Sequence, residues 1–204
     1  MGLRPISLDN PAQEIIRCDM KISLCSVPVE GVEDKLSRLR SEGPLGILPK
    51  MAIVSLIKWM ERNGWNSDSY KFYDIDMLYP SDDDIEKFFA EYQPTIVGLS
   101  AVVSSSYGQV RRVSSIIRKV CPDAWIVVGG SIADSAEVLL SKTEADLCIK
   151  GNGEIAWVNF LNYVEKYKRD WNYEALGKIK GLCYFNKAKE LILNGNEEAI
   201  PEED

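Results

Sequence analysis

The stretch Pro94–Ser106 constrains the fold most, because a short apolar run is followed at once by small polar residues. Thr95–Leu99 is rich in β-branched residues and predicts a strand that is buried on both faces. Ser100–Ser106 replaces the apolar run with hydroxyls and small side chains. Apolar residues then recur at spacings of three and four from Val110 to Val120, which predicts an amphipathic helix. This order is typical of half a βαβ unit, in which ligands bind beyond the carboxyl ends of the strands.

Four further runs of mainly apolar residues also predict strands. The five predicted strands are Lys21–Val27, Lys71–Ile75, Thr95–Leu99, Trp125–Val128 and Ala145–Ile149. Helical patterns separate them, which predicts a parallel sheet with helices on both faces. We therefore expect an α/β fold of the Rossmann-like (flavodoxin-like) type, with a five-stranded parallel sheet in the order 2-1-3-4-5. Gly181–Phe185 and Leu191–Asn194 predict a C-terminal β-hairpin that has no third strand as a partner.

The pattern divides the chain into three segments. We expect an irregular N-terminal arm at residues 1–20, the α/β domain at 21–170, and the hairpin with an acidic linker at 171–204. The long connection after the first strand has room for a short helix at Glu33–Arg40.

Composition argues against several classes of function. The formal net charge is −7 over 204 residues, and no basic stripe is present to neutralise a nucleic-acid backbone. No apolar run reaches the length of a membrane span, so we expect no membrane partner. The five cysteines are dispersed and form no C-x-x-C pair, which favours a reducing cytoplasm and gives no local metal-ligand set. Histidine is absent, which removes the commonest metal ligand and the commonest general base.

Loop motifs discriminate between the proteins that share this architecture. A receiver domain needs aspartates at the ends of its first and third strands and a lysine after the fifth. Here only the lysine, Lys150, is present. A flavodoxin needs a Ser/Thr/Gly loop after its first strand, where this chain has Pro28–Gly31. Gly151-x-Gly153-x-x-Ala156 has the letters of a dinucleotide-binding motif, but it follows the fifth predicted strand instead of the first. A nucleotide-binding α/β domain therefore stays an alternative.

Short motifs recur in a fixed order along the chain. They are Pro44–Leu48 before a helix, Val97–Ser100, Val127–Gly130, Ala145-Asp146 and Gly151–Glu154. In order and spacing they resemble the N-terminal cobalamin-binding domain of B12-dependent radical SAM proteins. The resemblance extends over residues 21–195, and no single motif carries it.

The resemblance implies a cobalamin site at the carboxyl ends of the strands. Ser100–Ser106 would lie under the corrin, Gly129–Ser131 would border the buried nucleotide tail, and Gly151–Glu154 would close the far side. The implied cofactor-binding residues are Pro28, Leu45, Ser100, Ala101, Val102, Ser104, Ser105, Ser106, Gly129, Gly130, Ser131, Gly151, Asn152, Gly153 and Glu154.

The resemblance also implies a partner. The C-x-x-x-C-x-x-C motif of radical SAM enzymes is absent from this sequence. A 4Fe-4S cluster and S-adenosylmethionine are therefore expected only in a separate radical SAM domain, which would act with this chain in cis or in trans. The parent or partner enzyme would be of the methyltransferase or cyclase type, and this chain alone would not be catalytic.

The chain departs from the family pattern at three places. Ser131-Ile132 stands where many members have Pro-His, and Asn152 is in the second place of a Gly-Glu-Gly-Glu box. The Asp-x-His-x-x-Gly motif is missing, and without any histidine the lower face of cobalt cannot be ligated by imidazole. This favours a methyl carrier or an electron-transfer role over homolysis. A degenerate, cofactor-free interaction domain of the same ancestry is the other alternative.

Two expectations concern individual residues at this edge. Glu154 is expected to act locally, on the dipole of the helix that begins beside it, and not as a general acid. The serines of Ser100–Ser106 offer a shallow surface for a corrin, and at least one of them is also expected to cap the following helix.

Overall fold

A computed structural model describes residues 20–29 and 50–200 of the chain. Residues 1–19 of the predicted N-terminal arm, the predicted helix Glu33–Arg40, and Leu45 lie outside the described residues. Within the described ranges, no helix is long and apolar enough to cross a membrane.

The described residues form one mixed sheet of seven strands. These are β1 (Ile22–Ser26), β2 (Tyr70–Asp74), β3 (Ile96–Ser100), β4 (Trp125–Gly129), β5 (Leu147–Ile149), β6 (Leu182–Phe185) and β7 (Leu191–Leu193). Their order across the sheet is β2-β1-β3-β4-β5-β6-β7. The first five strands are parallel, which confirms the predicted order 2-1-3-4-5 and the α/β fold class.

The C-terminal hairpin belongs to this sheet, so the expectation that it has no third strand as a partner is wrong. β6 runs antiparallel to β5, with Cys148 opposite Cys183 and Ile149 opposite Leu182. β7 then pairs with β6. The hairpin therefore covers the edge of β5 that would otherwise present unpaired backbone groups. Local periodicity shows that two runs are strands, but it does not show which distant strand they pair with.

Seven α-helices in the described ranges cover the sheet. They are α1 (Met51–Arg62), α2 (Ile75–Leu78), α3 (Asp82–Tyr92), α4 (Tyr107–Val120), α5 (Ala136–Lys142), α6 (Glu154–Tyr167) and α7 (Tyr173–Leu176). α1 and α6 pack on one face, while α3, α4 and α5 pack on the other. Because successive strand residues point to opposite faces, each central strand contributes to both cores.

Each strand differs from its predicted range by one or two residues at one end or both, and β2 and β5 show the differences that matter most. β2 ends at Asp74, and Ile75 already belongs to α2. The Asp74 carboxylate accepts a hydrogen bond from the Met77 backbone N–H at 3.1 Å and so caps that helix. β5 begins at Leu147, two residues later than Ala145.

The strand register places two rows of residues on the face covered by α1 and α6. The inner row is Leu24, Gly98 and Val127, and the outer row, nearer the carboxyl ends, is Ser26, Ser100 and Gly129. The inner row is apolar, whereas the outer row is small and mostly polar. All of these residues except Ser26 line the base of the candidate site.

Candidate functional site

A cavity of about 200 Å³ lies at the carboxyl half of the strands, between the sheet and helices α1 and α6. Strands β1, β3, β4 and β5 form its base. Ala52, Ile53 and Leu56 of α1 form one wall. The loop Gly151–Gly153 and the beginning of α6 form the other wall. This is the edge at which parallel α/β sheets bind their ligands.

Gly98 and Trp157 form the floor of the cavity. A Cβ atom on Gly98 would lie 2.9 Å from Cη2 of Trp157, closer than real Cβ atoms approach, and 3.2 Å from Cδ2 of Leu24, which is a tight contact. Glycine is therefore required here for the indole to lie against the strand. The Trp157 ring is buried, and its Nε1 donates a hydrogen bond to Sδ of Met60 at 3.1 Å. The indole is thus fixed by α1 on one side and by β3 on the other.

Gly129 and Gly130 differ in what a side chain would meet. A Cβ atom on Gly130 would lie 2.3 Å from the carbonyl oxygen of Ala101, and Gly130 has a φ of +89°. Glycine at this position therefore allows the two neighbouring loops to approach each other. A Cβ atom on Gly129 would have nothing within 4 Å, and Gly129 lines the cavity. The absence of a side chain at Gly129 thus leaves the mouth of the cavity open.

The loop that precedes α6 reaches across the cavity to α1. Gly151 has a φ of +80°, which lets the chain turn sharply after β5. Glu154 is the first residue of α6, and its Oε1 accepts a hydrogen bond from Ser55 Oγ at 2.7 Å. The expectation that Glu154 acts only on its own helix is therefore incomplete. Its carboxylate also joins the two walls of the cavity.

The serine loop, defined as Val102–Ser106, lies at the same edge, and none of its residues lines the cavity. Ser104–Ser106 forms a short 3-10 helix, and the exposed side chains of Val102 and Val103 precede it. Ser106 is buried, and its Oγ has no hydrogen-bond partner among the described residues. The expected serine cap is not formed, because no side chain bonds to the first turn of α4. Ser131 Oγ instead donates to the Val102 carbonyl and ties the two loops together.

About half of the predicted site residues line the cavity. Those that do are Ser100, Gly129, Gly130, Gly151, Asn152, Gly153 and Glu154. Those described elsewhere along the carboxyl edge are Pro28, Ala101, Val102, Ser104, Ser105, Ser106 and Ser131. Leu45 lies outside the described residues. The structure thus separates the predicted site into a cavity and a neighbouring surface.

The sequence interpretation missed most of the apolar lining. The residues it missed are Leu24, Ala52, Ile53, Leu56, Gly98, Leu99, Val127, Ile149 and Trp157. A glycine inside an apolar strand often marks a close approach of another group, so Gly98 carried a usable signal. The others have the ordinary pattern of core residues.

The described part of the chain has no cluster of three or more His, Cys, Asp or Glu side chains arranged to hold a metal ion. The four described cysteines are free and buried. Burial raises the pKa of the Cys25 thiol to about 12, and it also raises the pKa of Cys148. These thiols are therefore protonated at neutral pH and act as small core residues.

A second cavity of about 290 Å³ lies at the opposite, amino edge of the sheet, beside Thr95 and Trp125. The Arg169 guanidinium lies 4.0 Å from the centre of the Trp125 ring and donates to Asp146 at 2.8 Å. Arg169 thus connects the segment after α6 to the sheet. The contacts of Arg169 beside this second cavity are explained by their role in holding the chain to the sheet. The carboxyl-edge cavity is therefore the better candidate site.

Comparisons with known proteins identify relatives of this chain in sequence and in fold. A cytidylyl-2-hydroxyethylphosphonate methyltransferase from Streptomyces wedmorensis is 31% identical over 86 residues, which are 40% of this chain and 16% of that protein. The apo structure of OxsB, a cobalamin-dependent S-adenosylmethionine radical enzyme, superposes with a TM-score of 0.64 at 17% identity. That match covers 89% of this chain and 23% of OxsB. The chain therefore spans less than a quarter of either relative.

A cobalamin-binding protein from Desulfitobacterium hafniense DCB-2 has a TM-score of 0.38 at 17% identity and covers 58% of this chain and 50% of that one. The family model of the B12 binding domain matches residues 44–161, which is more than half of the chain. This range includes β2 to β5, α1, and the loops that line the cavity. The chain therefore belongs to the B12-binding domain family.

Proposed function

We propose that this chain binds cobalamin for a radical SAM enzyme, with the nucleotide tail in the carboxyl-edge cavity and the corrin on the loops outside it. The observation that carries the proposal is the cavity itself, which opens where β1, β3 and β4 end and is floored by Gly98. It lies inside the range that matches the B12 binding domain.

The size of the cavity supports placing the nucleotide tail inside it and the corrin outside it. A volume of about 200 Å³ is far too small for a corrin ring but suits a flat bicyclic base. Ile53 of α1 and Trp157 of α6 both line the cavity, and both side chains are buried and apolar. A planar group bound against them would remove apolar surface from water.

The corrin would rest on the surface beside the mouth. Val102 is 63% exposed and Val103 is 41% exposed, and they follow β3 after the buried Ala101. Ser104 and Ser105 are also exposed and carry small side chains. Exposed apolar side chains together at a ligand-binding edge favour contact with a broad apolar partner. We therefore assign the valines, together with the serines, to the surface under the corrin.

The absence of histidine defines the chemistry around cobalt. With no imidazole in the chain, the protein would leave the lower face of cobalt open or covered by a non-ligating group. Bound cobalamin would supply methyl-group or electron transfer. The residues of this chain would hold it in place and exclude water from its tail. The 4Fe-4S cluster, S-adenosylmethionine and the substrate would belong to a radical SAM domain, of methyltransferase or cyclase type, in cis or in trans.

The test is retention of the cofactor. The purified chain is incubated with hydroxocobalamin and desalted, and its visible spectrum is recorded. We expect the corrin absorption to stay with the protein. Protein that is folded but colourless would contradict the proposal and favour the cofactor-free interaction domain. A melting temperature that rises with nucleotide would favour the nucleotide-binding alternative.

A matched pair of variants connects the result to the cavity. Gly129→Leu introduces a side chain whose Cβ has free space and whose remaining atoms would fill the mouth of the cavity. We expect this variant to fold and to lose cobalamin. Glu91→Leu, on the exposed surface of α3, should retain it. Equal retention by both variants would contradict the assignment of the cavity.

A further inference from the structure

We propose that the inner part of the cavity selects corrinoids whose tail ends in an apolar bicyclic base, such as dimethylbenzimidazole, over those that carry a purine. This inference depends on the proposed placement of the tail. It assigns the specificity to the inner row of the sheet and to Trp157.

The inner surfaces present carbon atoms. The inner row consists of Leu24, Gly98 and Val127, which lie opposite one another in three adjacent parallel strands. Ile53 and Leu56 face them from α1. Of the polar side chains that line the described cavity, Ser100 belongs to the outer row, and Asn152 and Glu154 belong to the loop at the mouth and the first turn of α6.

The hydrogen-bonding groups at the inner level are already engaged. Trp157 Nε1 donates to Met60 Sδ at 3.1 Å, so the indole has no further donor to offer. The backbone of Gly98 lies in a central strand that is paired on both sides. A base at this depth would meet apolar contacts and no free donor or acceptor from these described residues.

Dimethylbenzimidazole and adenine differ in the polarity of the edge that would meet the inner row. Dimethylbenzimidazole presents carbon and two methyl groups along its outer edge. Adenine presents an exocyclic amine and ring nitrogens there, and these would lose their hydrogen bonds to water without replacement. Apolar pockets discriminate moderately against polar analogues of similar shape. We expect adeninyl corrinoid to bind about tenfold to a hundredfold more weakly than cobalamin.

The experiment compares three ligands on the same 204-residue chain. They are hydroxocobalamin, its adeninyl counterpart, and cobinamide, which lacks the nucleotide tail. Affinity is measured by spectral titration. The expected order is cobalamin first, adeninyl corrinoid second and cobinamide last. Equal affinity for cobalamin and adeninyl corrinoid, both above cobinamide, would overturn the selectivity but leave the tail in the cavity. Cobinamide that binds as tightly as cobalamin would overturn the placement of the tail and with it the proposed function.

Two valines in β4 provide a matched test of the residues. Val127 faces the cavity, while its neighbour Val128 is buried in the opposite core. Val127→Thr places a hydroxyl at the inner level, so we expect the preference for cobalamin to shrink several-fold. Val128→Thr introduces the same change on the other face and should leave the affinity ratio unchanged. An unchanged ratio in a folded Val127→Thr protein would overturn the assignment of selectivity to the inner row. The wild-type comparison tests the selectivity even if a variant fails to fold.

Discussion

Ser55 and Glu154 join the two walls of the cavity through a hydrogen bond of 2.7 Å between residues that are 99 positions apart in the chain. Ser55 lies on α1, beside the cavity-lining residues Ile53 and Leu56, and Glu154 begins α6. Both side chains are half-buried. A bond in this position holds α1 against the loop that closes the cavity.

A double-mutant cycle tests this bond. Ser55→Ala and Glu154→Ala should together be less destabilising than the sum of their separate effects, with a coupling energy of about 1 kcal/mol. Glu154→Gln keeps an acceptor for Ser55 and should change the free energy of unfolding by less than about 1 kcal/mol. The measurement is urea denaturation of all the variants. Ser55→Thr, which retains the hydroxyl, is the control. Strictly additive effects would show that the two side chains do not stabilise each other.

The contact between Gly98 and Trp157 leads to a second prediction. Gly98→Ala places a methyl group 2.9 Å from Trp157 Cη2, so we expect destabilisation of about 1–3 kcal/mol. Trp157→Phe removes the indole atoms that would clash with the added methyl group. In the Trp157→Phe protein, Gly98→Ala should therefore lower the free energy of unfolding by about 1 kcal/mol less than it does in the wild type. Thermal and urea unfolding measure both effects.

Gly153 is the control for this substitution. A Cβ atom there would lie 3.7 Å from Ile149 Cγ2, which is an ordinary contact distance. Its φ of −91° is accessible to alanine. Gly153→Ala should therefore change stability little. Equal costs at Gly98 and Gly153 would show that the indole does not limit the space above β3.

The sequence predicted the parallel sheet because each strand–helix unit carries its own local pattern. Strand order and the carboxyl-edge loops follow from that pattern, and seven predicted residues line the cavity. The walls could not be predicted in the same way. Trp157 and Ile53 have the periodicity of ordinary core residues, and their meeting depends on how α1 and α6 pack. The antiparallel pairing of β5 with β6, in which Cys148 lies opposite Cys183, likewise joins segments that are distant in the sequence. Local patterns do not encode such a contact.

Alkaline pH provides a third prediction, from the buried thiol of Cys25. Burial raises its pKa to about 12, and the contact with Ser23 partly offsets this effect. The unfolded thiol ionises at a lower pH, near 9, so between these values the unfolded chain releases a proton that the folded chain keeps. The contribution of this thiol to the free energy of unfolding is therefore fully present below about pH 9. It decreases by about 1.4 kcal/mol per pH unit as the pH rises toward 12.

Cys25→Ala should remove this contribution. Urea denaturation at pH 7 to 10.5 should give a shallower alkaline decline for the variant, while the two proteins should show parallel pH dependence between pH 7 and 8. Buried Cys148 has a raised pKa as well, so part of the decline should persist. Identical slopes above pH 9 in both proteins would mean that the Cys25 thiol ionises as readily when folded as when unfolded.

The last prediction concerns the loop assigned to the surface under the corrin. Ser104 and Ser105 are exposed, so a large side chain there should change the free energy of unfolding by only about 0.5 kcal/mol. If the corrin lies on this loop, Ser104→Trp or Ser105→Trp should nevertheless abolish cobalamin retention, because the indole would occupy the space above exposed Val102. Ser141→Trp, an exposed serine on α5 away from this edge, should retain the cofactor. Visible spectra after desalting and melting curves measure the two properties separately. Full retention by both loop variants, with normal melting, would remove the serine loop from the corrin site while leaving the tail cavity untouched.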